Sequence, residues 1–324
     1  MRIGVAGAGA LGFHHVRILR ELCGAAFVGF HEPAAERAAK VSSELGVTAH
    51  ATLDGLLDAC DAVSIAAATT AHCAVGMAAI ARGRHLFIEK PITATLAEAD
   101  ALLAAAAARG LVVQVGHVER VNRAVRAAWP MLDGPRYIEA TRFAPFTARG
   151  ADVSVVLDLM VHDLDLVLGM VGAPVSRVDA LGAAVIAPTV DLANARITFA
   201  NGAVAQLSAS RVAGARERRM RIVQPSGLLA LDLAAGTGTF HRLRADVDRS
   251  ALARSKTPVD PASFTESIAL EAPEGEPLRL EFEAWLATLR GDGPMLVSGA
   301  QGRAVLAAAF DIMAAIERGA AAGA

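Results

Sequence analysis

The chain has 324 residues, 54% of them hydrophobic and only 4% aromatic, with a formal net charge of −2. Such a composition excludes a disordered chain and gives no global basic field for nucleic acid. Three cysteines, Cys23, Cys60 and Cys73, form no CxxC pair, and they read as reduced structural thiols of a cytoplasmic protein.

The first 118 residues alternate short apolar runs with longer helical patterns. "RIGVAG" reads as a strand and "GFHHVRILRELC" as a helix. "AFVGFHE" is a second strand, followed by a helix that ends at Gly46. "DAVSIAA" and "HLFIEK" continue the plan around the helix "HCAVGMAAIARG". "EADALLAAAAARG" is another helix, closed by Gly110, and "LVVQVG" another strand. Strands alternating with helices predict a doubly wound parallel sheet, a Rossmann domain over residues 1–118. Residues 62–81 carry no Asp, Glu, Lys or Arg and could pass for a membrane span, but a strand, a turn and an Ala-rich helix explain them better. The dense glycines near Met1 likewise argue against a signal-peptide core, so no membrane partner is expected.

Beyond Val118 the pattern changes. After the helix "NRAVRAAWPML" and the strand-like "RYIEATRF" comes the polar helix "VVLDLMVHDLDL", then five runs with period-2 alternation and "NG" and "SG" turns. These predict an α+β domain with a mostly antiparallel sheet over residues 119–324. Residues 233–277 read as a long irregular excursion. The last helices, from about residue 278 to 324, are candidates to pack back on the first domain, and Ser298 with Gln301 fits a capping box. One face of the second sheet is left for a partner subunit, so a homodimer or homotetramer is expected.

Chemistry concentrates at three places. "GAGALG" places Gly7, Gly9 and Gly12 between a strand and a helix, with Glu32 at the end of the next strand. Gly7 permits the tight turn, Gly9 lets backbone approach a pyrophosphate, and Gly12 allows close helix–strand packing. Glu32 would bind the adenosine ribose hydroxyls and repel a 2′-phosphate, which favours NAD over NADP. Arg37 is placed on the solvated face of its helix. "IEKPI" puts Lys90 at the ligand edge of the sheet, as a proton handler, a hydroxyl anchor or an ordinary surface lysine. In the polar helix, Asp158, His162 and Asp165 share one face by i, i+4, i+7 spacing. A metal site, a hydrogen-bond cluster and an acid–base pair all fit that stripe. Three ligands on one helix face would make an unusual metal site, so no metal is expected. Asp163 points off that face and is expected to cap or pair with backbone.

The glycine fingerprint, "GRHLFIEKP" and "DLMVHDLD" resemble the Gfo/Idh/MocA oxidoreductases, in order along essentially the whole chain. The resemblance implies a nicotinamide cofactor, a sugar or cyclitol substrate, Lys90 as the lysine of Glu-Lys-Pro with a cis Pro91, and Asp158 with His162 as the Asp-x-x-x-His pair. It implies Lys90, His162 and Asp158 as catalytic residues. Cofactor contacts are expected from Gly7, Gly9, Ala10, Leu11, Gly12, Glu32, Thr69, His72, Glu89 and Lys90. Where the family often has Thr-Pro, this chain has Ala67 and Ala68. A narrower resemblance, carried by "VGHVERVNRAV", "VDLANARITFANG" and "SASRV", is to the branch containing UDP-N-acetylglucosamine 3-dehydrogenases. It implies a nucleotide-sugar substrate, a 3-keto product, and a downstream aminotransferase making the 3-amino sugar of lipid A with amide-linked chains. The alternatives are a dehydrogenase of a free sugar or inositol-type polyol, and a non-catalytic NAD-binding regulatory protein. Retention of Lys90, Asp158 and His162 together argues against the last. Substrate contacts are expected from His117, Arg142 and Arg211, with Glu119, Arg120 and Asn122 near the first. His14 and His15 read as packing or solvent contacts.

Overall fold

The computed structural model describes residues 1–148 and 150–322; the last two residues of the predicted second domain lie outside them. The chain divides into two compact units, Met1–Val118 with Gly275–Ala307, and Glu119–Glu274 with Ala308–Ala324. The C-terminal stretch read as returning to the first domain therefore divides at Ala307.

In the first unit, β1 (Ile3–Ala6), α1 (Ala10–Cys23), β2 (Phe27–His31), α2 (Ala35–Leu45), α3 (Leu53–Ala59), β3 (Ala62–Ile65), α4 (Thr69–Ala81), β4 (His85–Glu89), α5 (Leu96–Ala107) and β5 (Val113–Gly116) follow in order. The five strands form one parallel sheet in the order β2-β1-β3-β4-β5. This is the doubly wound fold that the alternating pattern predicts, and its ligand edge lies at the strands' C-terminal ends. The charge-free residues 62–81 resolve into β3 and α4. The short α3 leaves no periodic signature in the sequence, because its seven residues span too little; the Thr52 side chain caps it. Cys23, Cys60 and Cys73 are unpaired, and burial pushes the Cys60 thiol up to about 11.

The second unit carries α6 (Arg123–Ala128), β6 (Tyr137–Phe143), a π-helical turn (Val156–Met160), α7 (Val161–Val171), β7 (Val175–Ala183), β8 (Leu192–Phe199), β9 (Val204–Ser210), β10 (Glu217–Gln224), β11 (Gly227–Asp232), β12 (Thr237–Leu243), α8 (Arg249–Arg254) and β13 (Thr265–Leu270). Its eight strands run in the order β13-β12-β11-β10-β6-β9-β8-β7. Among the described residues, only the β6–β9 pair of this sheet is parallel. Asn201-Gly202 lies in the β8–β9 hairpin turn with positive φ at Gly202, whereas the β10–β11 turn is Pro225-Ser226 and Gly227 already pairs with Gln224 as the first residue of β11. Residues 233–277 are not an irregular excursion: β12 and β13 pair antiparallel there and extend the sheet. Their polar composition hid them because they form an edge that keeps much of its surface in water.

The chain closes with α9 (Pro277–Arg290) and α10 (Gly299–Ala322). Ser298 and Gln301 form the reciprocal capping box at 2.8 and 3.2 Å. Phe282 and Trp285 of α9 are fully buried in the core of the first unit, against Phe87. Each such ring contributes roughly 2–3 kcal/mol of burial free energy. The segment Gly299–Gly319 is long and apolar enough to cross a membrane by length and composition, yet half of its apolar window is buried inside the protein.

The fingerprint glycines differ in what they tolerate. A Cβ on Gly12 would lie 2.1 Å from the Gly7 carbonyl oxygen, whereas one on Gly9 meets open space. Gly12→Ala is expected to cost about 3 kcal/mol, the upper range of overpacking, because the obstructing atom is backbone. Gly9→Ala should stay within about 1 kcal/mol of the wild type, the loss expected from a poorer N-cap. Urea unfolding midpoints of the two variants check this contrast.

Candidate active site

The turn after β1 is built around Gly7, whose φ of 92° only glycine adopts easily and whose N–H donates to the His31 carbonyl at 2.8 Å. Gly9 then caps α1 without a side chain, and Gly9, Ala10 and Leu11 are exposed. The open space over Gly9 is a cradle that a pyrophosphate could enter, at the positive end of α1. Glu32 borders this turn. Its carboxylate accepts from the N–H groups of Ala8 at 2.7 Å and Ala34 at 3.1 Å. Arg37 is not simply solvated, as the sequence suggested: its Nε donates to the Ala8 carbonyl at 2.8 Å. Acid and base thus grip the two successive peptides that flank the Ala8 Cα, and this frame fits a dinucleotide whose ribose hydroxyls seek an acceptor.

At the end of β4, Lys90 is half-buried and joined to Pro91 by a cis peptide. Its N–H donates to Glu89 Oε2 at 3.2 Å. The Glu89 carboxylate lies over Gly116, where a Cβ would come within 2.9 Å of it. His15 reaches the same carboxylate from α1. Its Nε2 is 3.0 Å from Glu89 Oε1, off the line of a straight hydrogen bond, while Nδ1 bonds Ser64 Oγ at 2.9 Å. His15 is fully buried and packs edge-on against Phe87 and Phe282, so it is no solvent contact. The signal that could have found it is its place on the buried stripe of α1 with Gly12, Val16 and Leu19.

Thr69 opens α4 and is half-buried. His72 is buried, and its two ring nitrogens face the carbonyls of Pro91 at 3.0 Å and Ala67 at 3.1 Å. It ties the turn after β3 to the turn after β4 rather than capping its helix. His117 follows β5 at the ligand edge and is buried.

In the second unit the polar stretch is not one continuous α-helix. Residues 156–160 form a π turn that includes Asp158, and α-helix begins at Val161. The i, i+4, i+7 stripe therefore does not hold across all of 158–165, because a π turn bonds residues five apart. Asp158 and His162 are half-buried, whereas Asp163 and Asp165 are buried. Both buried carboxylates meet guanidinium groups. Arg142 holds Asp163 in a two-bond fork at 2.9 and 2.8 Å and reaches Glu119 at 2.9 Å. Arg120 holds Asp165 at 2.6 and 3.0 Å. Asp163 thus pairs with a remote side chain, not with backbone. Asp165 is bound to Arg120 and does not join Asp158 and His162 as a third ligand.

These pairings correct several expectations. Arg142 is 2% exposed, and its donors go to Asp163 and Glu119 instead of substrate. Burial works against its charge, but the two carboxylates outweigh that and keep the guanidinium protonated. Glu119 accepts from Arg142 and Asn122, Arg120 also stacks over Trp129 at 4.9 Å, and Asn122 caps α6. Arg211 likewise directs its donors within the protein, to Asp191, Thr189 and the carbonyls of Gly150 and Val153, instead of to substrate. Burial pushes the Asp191 carboxyl up, but Arg211 and the N–H groups of Ile186, Val185 and Ala187 overcome this and hold it well below the usual carboxylate range.

The family model of NAD-binding Rossmann-fold oxidoreductases, GFO/IDH/MocA, matches residues 1–117, and that of the GFO/IDH/MocA C-terminal domain matches residues 114–229. A UDP-N-acetylglucosamine 3-dehydrogenase of Acidithiobacillus ferrooxidans is 39% identical over 98% of this chain and 97% of its own. The chain belongs to the Gfo/Idh/MocA oxidoreductases. Within that family, the solved structure of the Acidithiobacillus ferrooxidans enzyme superposes with a TM-score of 0.88, 37% identity and 98% coverage of both chains. A scyllo-inositol 2-dehydrogenase (NAD(+)) of Bacillus subtilis is 29% identical over 65% of this chain and 67% of its own.

Breaking a buried ion pair from one side costs about 3–5 kcal/mol, because a charge is left unpaired. Asp165→Ala should therefore destabilise the protein by that amount in urea unfolding. Replacing both partners, as in Arg120→Met with Asp165→Leu, should recover most of the loss.

Proposed function

We propose that this Gfo/Idh/MocA oxidoreductase oxidises the 3-hydroxyl of UDP-N-acetylglucosamine to a 3-keto nucleotide sugar, with NAD as acceptor. The observation that carries the reading is the 39% identity, across nearly the full length of both chains, to an enzyme of that name. The 3-keto product is a substrate for an aminotransferase, which places such an enzyme next to this one in the reaction sequence.

In this reading, removing two electrons from a secondary alcohol requires a base for the hydroxyl proton and an acceptor for hydride. His162 is the base, since an imidazole near neutrality suits that task. Asp158 orients the ring and stabilises the imidazolium. Lys90 donates to the same oxygen and stabilises its negative charge as the proton leaves. The bound nicotinamide supplies the hydride acceptor. Gly7, Gly9, Ala10, Leu11 and Gly12 hold the pyrophosphate, and Glu32 binds the ribose and repels a 2′-phosphate. Thr69, His72 and Glu89 shape the nicotinamide side, and His117 is the remaining substrate contact.

Absorbance at the NADH band, followed with a panel of UDP-sugars and free polyols, tests this directly. UDP-N-acetylglucosamine should give the highest kcat/KM, and a polyol that outcompetes it would overturn the substrate assignment. His162→Asn should lower kcat by about 10²–10⁴-fold, the worth of a positioned general base. Glu32→Ser should lower kcat/KM for NAD by about 10–100-fold, the loss of hydrogen bonds to a charged acceptor, and narrow the preference over NADP.

We also propose a homodimer or homotetramer. Supporting this, Leu181 of β7 and Leu192 of β8 are 60% and 37% exposed on the open face of the sheet. Light scattering should give a mass of at least twice the 33.4 kDa chain.

A further inference from the structure

Asp158 is reached through a segment, Gly150–Ser154, that belongs to no helix or strand. Such a segment has few backbone bonds of its own and must be held from outside. Arg211, just beyond β9, supplies that hold. Its Nη1 donates to the carbonyls of Gly150 and Val153, each at 2.7 Å. Its Nη2 donates to Thr189 Oγ1 at 2.6 Å and lies 3.5 Å from the Ala151 carbonyl. The Thr189 hydroxyl in turn reaches the Ala151 carbonyl at 3.0 Å. Arg211 Nε bonds Asp191 Oδ1 at 2.7 Å, and Asp191 Oδ2 accepts from the N–H groups of Val185, Ile186 and Ala187. One guanidinium, 4% exposed, therefore gathers the 185–191 loop and the approach to Asp158 at a single point.

The link to Asp158 runs through Gly150. It adopts φ of 78°, and a Cβ there would lie 3.4 Å from Asp158 Oδ2. The peptide whose carbonyl Arg211 grips thus belongs to the residue whose Cα packs beside the Asp158 carboxylate. Lysine could not replace this grip, because a single ammonium centre does not present the planar fork that meets Asp191, Thr189 and two carbonyls at once.

We propose that Arg211 is a positioning residue for Asp158: it fixes the Gly150–Val153 segment and thereby the place of the carboxylate that orients His162. This rests on the role assigned to Asp158 in the proposed reaction. A carboxylate displaced by about an ångström loses its hold on the base, and such a misplacement costs up to about 100-fold in rate.

A double-mutant cycle on the NAD-loaded enzyme tests it. Arg211→Lys should lower kcat by about 10–100-fold, with KM for NAD within about threefold of the wild type. In an Asp158→Asn background the same Arg211→Lys should lower kcat by less than about twofold, since the residue it acts through is already disabled. Losses that multiply would overturn the proposal and leave the role of Asp158 intact. An Asp158→Asn variant with wild-type kcat would overturn that role and the proposal with it. Should Arg211→Lys fail to fold, Gly150→Ala enters the same cycle, because alanine is strained at a φ of 78° and shifts the segment that Arg211 holds; losses that multiply there would equally overturn the proposal.

Discussion

Two carboxylates on one turn of α7, Asp163 and Asp165, are buried where an unpaired charge could not be tolerated. That constraint organises much of the second unit. Arg142 of β6 and Arg120 of the turn before α6 each come to meet one carboxylate, and Glu119 and Asn122 join the same network. Because the two arginines approach from different elements, α7 is fixed in rotation as well as in position. His162, one residue before Asp163, inherits that fixed orientation. The ion pairs act on the stripe at one end and Arg211 acts at the other, through the segment that leads into Asp158.

A similar economy governs the first unit. The turn that would hold the cofactor contains almost no side chain. It is shaped by glycine dihedrals, by an acid and a base gripping the backbone of Ala8 on either side, and by the aromatic core beneath it. His15 ties α1 to Ser64 of β3, and His72 joins the turns after β3 and β4. The backbone N–H of Lys90 is held by the Glu89 carboxylate.

What the sequence discloses and what it hides follow one physical line. The glycine turn, the parallel strands and the capping box at Ser298 were legible, because each is specified by residues close together in the chain. The family resemblance named Lys90, Asp158 and His162 for the same reason: they sit in short contiguous motifs. The roles of Arg142 and Arg211 were not legible. A buried arginine and a substrate-binding arginine look alike until their partners are known, and Asp163 lies 21 residues from Arg142. The strands β12 and β13 leave little trace because each buries a single side chain, Phe240 and Leu270, too few for the alternation that marks a half-buried strand to show. The break at Val161 was hidden because no residue type signals a π turn.

That break carries a consequence for how this helix can be lengthened or shortened. A π turn is, in effect, one extra residue accommodated within a helix. Deleting a residue between Val156 and Met160 would restore ordinary α-helix while Asp163 and Asp165 kept their arginines, since both aspartates follow the deletion and the arginines are carried by other elements, β6 and the turn before α6. The residues of the turn before the deletion would then swing by about 100° around the axis, the angle one α-helical residue subtends. The chain thus contains a built-in unit of register slack, and that slack decides which way Asp158 faces independently of the anchors that follow it.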